Sequence, residues 1–382
     1  MMDTERFIND FRARYDAEPR VFSAPGRVNL IGEHTDYNEG FAMPFAIDRR
    51  TFVGITPRDD DVLNAHTLTL NKSARIRLRH LPSKADWTTY IAGMAEILHE
   101  NIKIGGADIL IDSDIPFGAG LSSSAALETG IGMALSDIAG VLSDARQLAF
   151  SGQKAEHEFV GVRSGIMDQF ASGLSRKGTA LLIDCRTLEV KYIPLELGTA
   201  MFAVCDTRIK HKLASSAYNE RRKECERAVK CLSKNTAQIT SLRDVTPAFF
   251  HDVKNSLPDA LMRRCRHVVT ENERTIAAAN ALRSHDLLKT GRLMNLSHES
   301  LRDDYEVSCP ELDVLADAAR EIPRVYGARM TGGGFGGCTI NLLEASVFNK
   351  FKDRVSEKYF RTFKREPVIF SVSASDGARR IH

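Results

Sequence analysis

A short apolar run over 107–111 leads into Pro116-Phe117-Gly118-Ala119-Gly120-Leu121-Ser122-Ser123-Ser124-Ala125-Ala126-Leu127, and a helical pattern takes over from about 123 to 139. This order, strand then glycine-rich turn then helix start, constrains the fold more than any other stretch of the chain. Its glycines allow turns that a Cβ would forbid. The free N–H groups and positive dipole end at such a helix start suit a polyanion. Ser122, Ser123 and Ser124 add hydroxyls for phosphate oxygens or a Mg²⁺ ion. The stretch lacks the terminal lysine of the G-x-x-x-x-G-K-[ST] loop, and a serine replaces the last glycine of the dinucleotide fingerprint. The plainer reading is a Gly/Ser turn with a serine N-cap.

The pattern around this stretch divides in two. Helical spacing over 5–16 puts Phe7, Ile8, Phe11 and Tyr15 on one side. Strand-like segments follow over 21–23, ending at Pro25-Gly26, then over 42–47, 51–56, 67–70 and 75–78. Helices are predicted over 88–101 and 145–159, and strands over 180–183 and 201–205. After Asp206 helices dominate, over 215–232, 258–282, 286–299, 310–321 and 348–363. Pro258 and Pro310 suit first turns, where a missing N–H costs nothing. Strands over 338–342 and 368–372 complete the pattern. An α+β protein of two lobes is expected, 1–195 with a mixed sheet and 196–382 rich in helix. The last strand is expected to return to the first lobe's sheet.

With 382 residues the chain exceeds a comfortable single core. Its 52 basic and 50 acidic residues leave a net charge of +2, too little field to argue for nucleic acid or membrane as partner. Seven cysteines, an odd number without a CxxC pair, fit neither a disulfide framework nor a zinc site. Reduced thiols in a cytoplasmic protein are expected. Residues 1–15 carry charges and no apolar centre, unlike a signal peptide. No run approaches the ~18 apolar residues of a membrane helix.

Three more stretches ask for a chemical reading. Ala24 to Tyr37 crowds Arg27, Asn29, Glu33, His34, Thr35 and Asp36 among turn residues and apolar Val28, Leu30 and Ile31. Donors and acceptors at that density suit a polyhydroxyl ligand. Gly332, Gly333, Gly334, Gly336 and Gly337 put five glycines in six positions, a cost in chain entropy that close backbone approach explains better than a loose turn. Gly165-Ile166-Met167-Asp168-Gln169-Phe170 sets one acid among apolar neighbours, either a general base or a helix cap.

In this order the stretches resemble the galacto-, homoserine, mevalonate and phosphomevalonate (GHMP) kinase superfamily, and GRVNLIGEHTDYNEGF (26–41) resembles the galactokinase signature. The likeness runs from about 22 to 342 and includes DTRIKHKLASSAYNERR (206–222). It implies a two-lobed GHMP kinase fold with the active site between the lobes. It implies ATP-dependent phosphorylation of galactose at its anomeric C1 hydroxyl, giving galactose 1-phosphate and ADP. By resemblance Gly118, Ala119, Gly120, Leu121, Ser122, Ser123 and Ser124 wrap the ATP phosphates, and Trp87 and Tyr90 lie beside the adenine. Ser124 and Glu156 are implied as Mg²⁺ ligands. Glu33, His34, Thr35, Asp36, Gly165 and Tyr218 are implied to bind the sugar, with Asp168 as catalytic base and Arg27 as its cationic partner. The 332–337 turn would close the site. The implied partners are galactose and Mg·ATP, without nucleic acid or membrane, and a monomer is favoured.

Many galactokinases carry Cys before the GIMDQ segment; here Arg163-Ser164 stands there, an extra charge expected near the acceptor. A kinase for N-acetylgalactosamine or L-arabinose is the nearest alternative. A non-catalytic galactose sensor is less consistent with an intact 122–126 loop, Arg27 and Asp168.

Overall fold

A computed structural model describes residues 2–78, 86–142, 144–210, 214–234 and 238–382. Helix α1 (Thr4–Tyr15) starts where the Asp3 side chain accepts the Glu5 and Arg6 N–H groups. It lays Phe7, Ile8 and Phe11 against Val21, Phe52 and Leu110. Strand β1 (Arg20–Asn29) does not end at Pro25-Gly26 as expected. It pairs with β3 (Pro44–Pro57) as far as Asn29, with a register shift between Pro25 and Arg27. Such a bulge absorbs a residue that cannot donate to the ladder. Gly26 meanwhile lies so close to the Leu121 carbonyl that a Cβ would come within 2.7 Å of it.

The expected strands 42–47 and 51–56 are mostly one strand, β3, preceded by the short β2 (Phe41–Ala42). Arg50, in the gap between those two expected segments, is a docking point. Arg50 donates to Ser23 Oγ at 2.5 Å and to the carbonyls of Asp376 and Gly377 at 2.9 Å each. Strands β4 (Val62–Thr67) and β5 (Lys72–Arg77) follow, so 68–70 is a turn rather than strand. After α2 (Trp87–His99), β6 (Ala107–Ser113) runs parallel to β4. Helices α3 (Ser123–Ile138), α4 (Ala145–Ala155) and α5 (Met167–Leu174) come next. Residues 156–159, expected to extend α4, instead form a π turn, Glu156–Val160. The sheet face carrying Val53, Ile55, Ile109 and Ile111 packs on Ile91, Met94, Ile131, Leu135 and Leu148 of these helices. Strand β7 (Thr179–Asp184) pairs with β2 on one side and with β8 (Val190–Pro194) on the other, making a small sheet.

Strand β9 (Ala200–Lys210) opens the second half. Helices α6 (Ala214–Leu232), α7 (Pro247–Val253), α8 (Asp259–Arg283), α9 (Leu287–Asp303) and α10 (Pro310–Arg320) follow. Pro310 is the first helical residue of α10, but Pro258 sits one step earlier, as the N-cap of α8. Strands β10 (Val325–Thr331) and β11 (Gly336–Glu344) form a hairpin, then come α11 (Phe348–Phe363) and β12 (Val368–Val372). The order of this sheet is β10-β11-β9-β12.

The expected return of 368–372 to the first sheet is corrected here: β12 pairs with β9 over its whole length. The short link after α11 keeps Ile369 in the cluster formed by Phe351, Val355 and Tyr359. What returns is the segment beyond it. Ala374 bridges Ile47, β13 (Arg379–Arg380) pairs with β1, and the Val21 N–H reaches the His382 carbonyl at 3.0 Å. The first sheet therefore reads β13-β1-β3-β6-β4-β5. One cluster joins the two halves, with Val28, Leu30, Met43 and Phe45 against Phe202, Val204, Met294, Ile340 and Leu342.

Candidate active site

The bulge in β1 delivers Arg27 to the first turn of α5. Its Nε and Nη2 donate to the two carboxylate oxygens of Asp168, at 2.8 Å each, and its Nη1 donates to the Gly120 carbonyl at 2.7 Å. Asp168 is thus bound in a fork geometry that fixes the carboxylate plane. Ser122 occupies the N-cap position of α3 with φ 56°, yet its side chain caps nothing. Its hydroxyl donates to Asp168 instead. The serine-cap reading of the loop is therefore replaced by a link between the loop and the acid.

Asp168 faces a cavity of about 240 Å³. Glu33, His34, Asp36, Gly165, Tyr218, Gly332 and Gly333 share its wall with Arg27. Glu33 is buried and tied on both oxygens: it accepts from Asn29 Nδ2 and the Gly332 N–H, and Arg329 Nη2 lies 3.2 Å away. Burial pushes Glu33 up to about 7, opposed by the Arg329 and Arg27 charges. Burial, then the Asp168 charge, pushes Asp36 up to about 6. Gly165 must lack a side chain, because a Cβ there would coincide with the Asp36 carboxylate. His34 is buried, held down to about 3 by desolvation, and its ring centroid lies 5.2 Å from that of Tyr218.

Thr35 is brought into the same loop but not into the cavity. It is wholly buried, with its hydroxyl 2.9 Å from the Gly32 carbonyl and 2.7 Å from that of Phe41. Its role is to shape the turn.

A second cavity, of about 490 Å³, opens beside the first and shares Tyr90 and Ser124 with it. Trp87 and Tyr90 stand three residues apart on α2, hence on one face. The Asp86 capping box fixes that first turn, with the Asp86 side chain accepting the Thr88 N–H at 2.8 Å. Ser123 and Ser124 form the opposite edge at the start of α3, whose first N–H groups are unpaired within the helix. Gly118 and Gly120 make the turn with φ 70° and 73°, while Ala119 and Leu121 anchor it in the core.

Where the cavities meet, Glu156 begins the π turn. Ser124 Oγ donates to one of its oxygens at 3.1 Å and Ser164 Oγ to the other at 2.5 Å. This is an all-oxygen donor set. Among the described residues no group of three or more His, Cys, Asp or Glu could hold a metal alone. Two oxygen donors, Ser124 Oγ and the Glu156 carboxylate, fit an ion that takes its other ligands from phosphate and water, the habit of Mg²⁺.

The glycine turn packs backbone to backbone on the serine loop. A Cβ on Gly332 would approach the Gly120 carbonyl within 2.7 Å, and one on Gly337 the Ala119 carbonyl within 3.0 Å. Gly332 and Gly333 enter the cavity wall. Behind them, Gly334 lies against the Val307 carbonyl and Gly336 begins β11.

Arg163 is not in the wall of either cavity. It pairs with Glu226 of α6 at 3.1 Å, and its backbone is held by Asn219 and Arg222, so its charge does not face the acceptor cavity as expected. Ser164, its neighbour, does line that cavity. In the 206–222 stretch, 211–213 lie outside the described residues. Sequence reasoning missed Arg329, Ser164 as a partner of Glu156, and the buried Glu128, which accepts from Gln169 Nε2 at 3.1 Å and is held well above the carboxylate range by burial. Gln169 follows Asp168 directly, the one local sign of that pair.

Comparison with known proteins agrees with this geometry. The galactokinase galactose-binding signature matches residues 9–57, the GHMP kinases N terminal domain 89–176 and the GHMP kinases C terminal domain 278–361. A galactokinase of Chloroflexus aggregans is 48% identical over 343 residues, covering 88% of each chain. One of a Roseiflexus species is 43% identical over 384 residues, covering 100% of this chain and 98% of its own. The Lactococcus lactis galactokinase solved with galactose superposes with a TM-score of 0.94 at 34% identity, covering 99% of both chains. The Methanococcus jannaschii mevalonate kinase, at 22% identity and TM-score 0.67 over 94% of this chain and 99% of its own, shares the fold. Among the described residues no helix is long and apolar enough to cross a membrane. From its phosphate-type loop to its sugar signature, this chain belongs to the galactokinase family of GHMP kinases.

Proposed function

We propose that this protein transfers the γ-phosphoryl group of ATP to the anomeric C1 hydroxyl of galactose, giving galactose 1-phosphate and ADP in the cytoplasm. The observation that carries the reading is Asp168, clamped by Arg27 and Ser122, in a monosaccharide-sized cavity that meets a larger one at Ser124 and Tyr90. The nucleotide base lies against Trp87 and Tyr90, with its phosphates over 118–124 and the start of α3. Ser124 and Glu156 hold Mg²⁺, which when bound offsets phosphate charge. Glu33, His34, Asp36, Gly165 and Tyr218 hold the sugar. Asp168 accepts the proton of its C1 hydroxyl, and Arg27 stabilises the charge on the transferring group. Positioning and charge stabilisation supply most of the catalysis in phosphoryl transfer. The glycine turn closes the site, and we place the lobe boundary at 195/196 with the 373–382 segment rejoining the first lobe.

The test is a coupled ADP-release assay with Mg·ATP against galactose, N-acetylgalactosamine, L-arabinose, glucose and mevalonate. Strong turnover on galactose alone is the expected result. Turnover only on another sugar would move the acceptor assignment. Binding of both ligands without ADP release would make the protein a sensor.

A further inference from the structure

Behind the sugar loop, four side chains form one hydrogen-bonded row. His34 Nδ1 lies 2.7 Å from the Tyr37 hydroxyl, which lies 2.8 Å from that of Tyr305, which lies 3.1 Å from Cys225 Sγ. At the other end, His34 Nε2 lies 3.2 Å from the Gly333 carbonyl. Tyr305 follows α9 and Cys225 belongs to α6, so the row runs from the cavity wall into the second half of the chain. Only His34 and Gly333 line the cavity. Tyr305 and Cys225 are buried, with ring centroids of Tyr305 at 4.9 Å from His34 and 4.5 Å from His267.

The direction of each bond is forced. A carbonyl only accepts, so the Gly333 contact puts a proton on Nε2. Burial keeps the ring neutral, so that proton is its only one. Nδ1 is then bare and Tyr37 donates to it. With the Tyr37 proton so used, Tyr305 donates to Tyr37 and the Cys225 thiol to Tyr305. Reversing the row would need a second N–H on a buried imidazole.

We infer that Tyr37 and Tyr305 are positioning residues for the acceptor sugar, steadying His34 as the Nε2–H tautomer so that the Nε2–H and the Gly333 carbonyl it meets at 3.2 Å form a donor–acceptor pair that one sugar hydroxyl can bridge. A hydroxyl satisfies both at once; a deoxy or methoxy position cannot. The inference rests on the small cavity being the sugar site. The Gly333 carbonyl draws the proton to Nε2 and Tyr37 satisfies the bare Nδ1; without that donor a buried acceptor is left unpaired, the preference for Nε2–H weakens, and the wall's polarity is less firmly fixed.

The experiment combines ¹⁵N-histidine NMR with kinetics. The His34 signals are assigned by their loss in His34→Gln. In the unsubstituted protein at neutral pH, Nε2 should be protonated and Nδ1 bare. Tyr37→Phe removes the donor to Nδ1; the tautomers should mix, and KM for galactose should rise about tenfold with kcat changed less than about threefold. Tyr305→Phe leaves Tyr37 in place and should move the same readouts in the same direction by less. A protonated Nδ1 in the unsubstituted protein, or a Tyr37→Phe variant with tautomer and KM unchanged, would overturn the inference. If no sugar is phosphorylated, the functional reading fails, while the nitrogen signals still decide the tautomer.

Discussion

Asp168→Asn separates the proton acceptor from the scaffold around it. The carboxylate receives two N–H groups of Arg27 at 2.8 Å and the Ser122 hydroxyl. An amide in its place has one acceptor oxygen and turns an NH₂ towards a donor of Arg27. One charge-assisted bond is lost and two donors face each other, at a cost of about 1–3 kcal/mol in stability. The side chain is 26% exposed, which puts the loss at the lower end of that range. Turnover should suffer far more, because an amide accepts no proton: kcat should fall roughly 10²- to 10⁴-fold. The coupled ADP-release assay reads kcat, thermal melting reads stability, and calorimetry with a non-hydrolysable ATP analogue reads nucleotide binding. Binding should persist, since the larger cavity does not include Asp168. A variant that keeps its turnover within about threefold would remove Asp168 as the base and leave it a structural partner of Arg27.

Three further outcomes follow from the same geometry. Gly165→Ala places a methyl on the Asp36 carboxylate, so KM for galactose should rise about tenfold or more while the KM for ATP holds, as steady-state kinetics with each substrate varied would reveal. Ser164→Ala frees one Glu156 oxygen, and Mn²⁺ binding to the protein–ADP complex, followed by electron paramagnetic resonance, should weaken about tenfold or more; unchanged Mn²⁺ affinity would refute the link. Asp36, pushed up to about 6, is protonated below that pH and ionised above it, so it should contribute a step in kcat/KM near 6 that vanishes in Asp36→Asn, while the step from Glu33 near 7 stays. Because its folded value is raised, the stability it contributes is present below its unfolded value near 3.8 and lost as pH rises through about 6. The melting temperature of Asp36→Asn should therefore decline less over that window.

The elements legible in the sequence are those whose signals are local. The 118–124 turn and the 332–337 glycines announce themselves because only backbone approach explains them, and each packs on the other. Helix α11 matches the predicted bounds through its Phe351, Val355 and Tyr359 stripe, and strand β12 does so as a short apolar run. Several misreadings involve a partner outside the stretch being read. Pro25-Gly26 looks like a strand end until Leu121 is seen against Gly26. Ser122 looks like a cap, but Asp168 on α5 outbids the helix N–H groups for its hydroxyl. Thr35 looks like a sugar ligand because its neighbours line the cavity, yet its hydroxyl serves the turn. The π turn at Glu156 leaves no mark on periodicity, since it shifts register by a single residue.

The return of the 374–382 segment to β1 bears on how the molecule is made. Phe22 and Ser23 emerge early in synthesis, but their partners Arg380 and Arg379 emerge after both lobes' sheets and helices have been translated. Until then one flank of β1 presents unpaired backbone, the kind of edge that recruits foreign strands. The two halves thus cannot fold as a simple succession of finished units. A nascent chain halted between β12 and β13 should hold a nearly complete second sheet while the first still lacks its outer strand, and at that stage the protein would most need a chaperone.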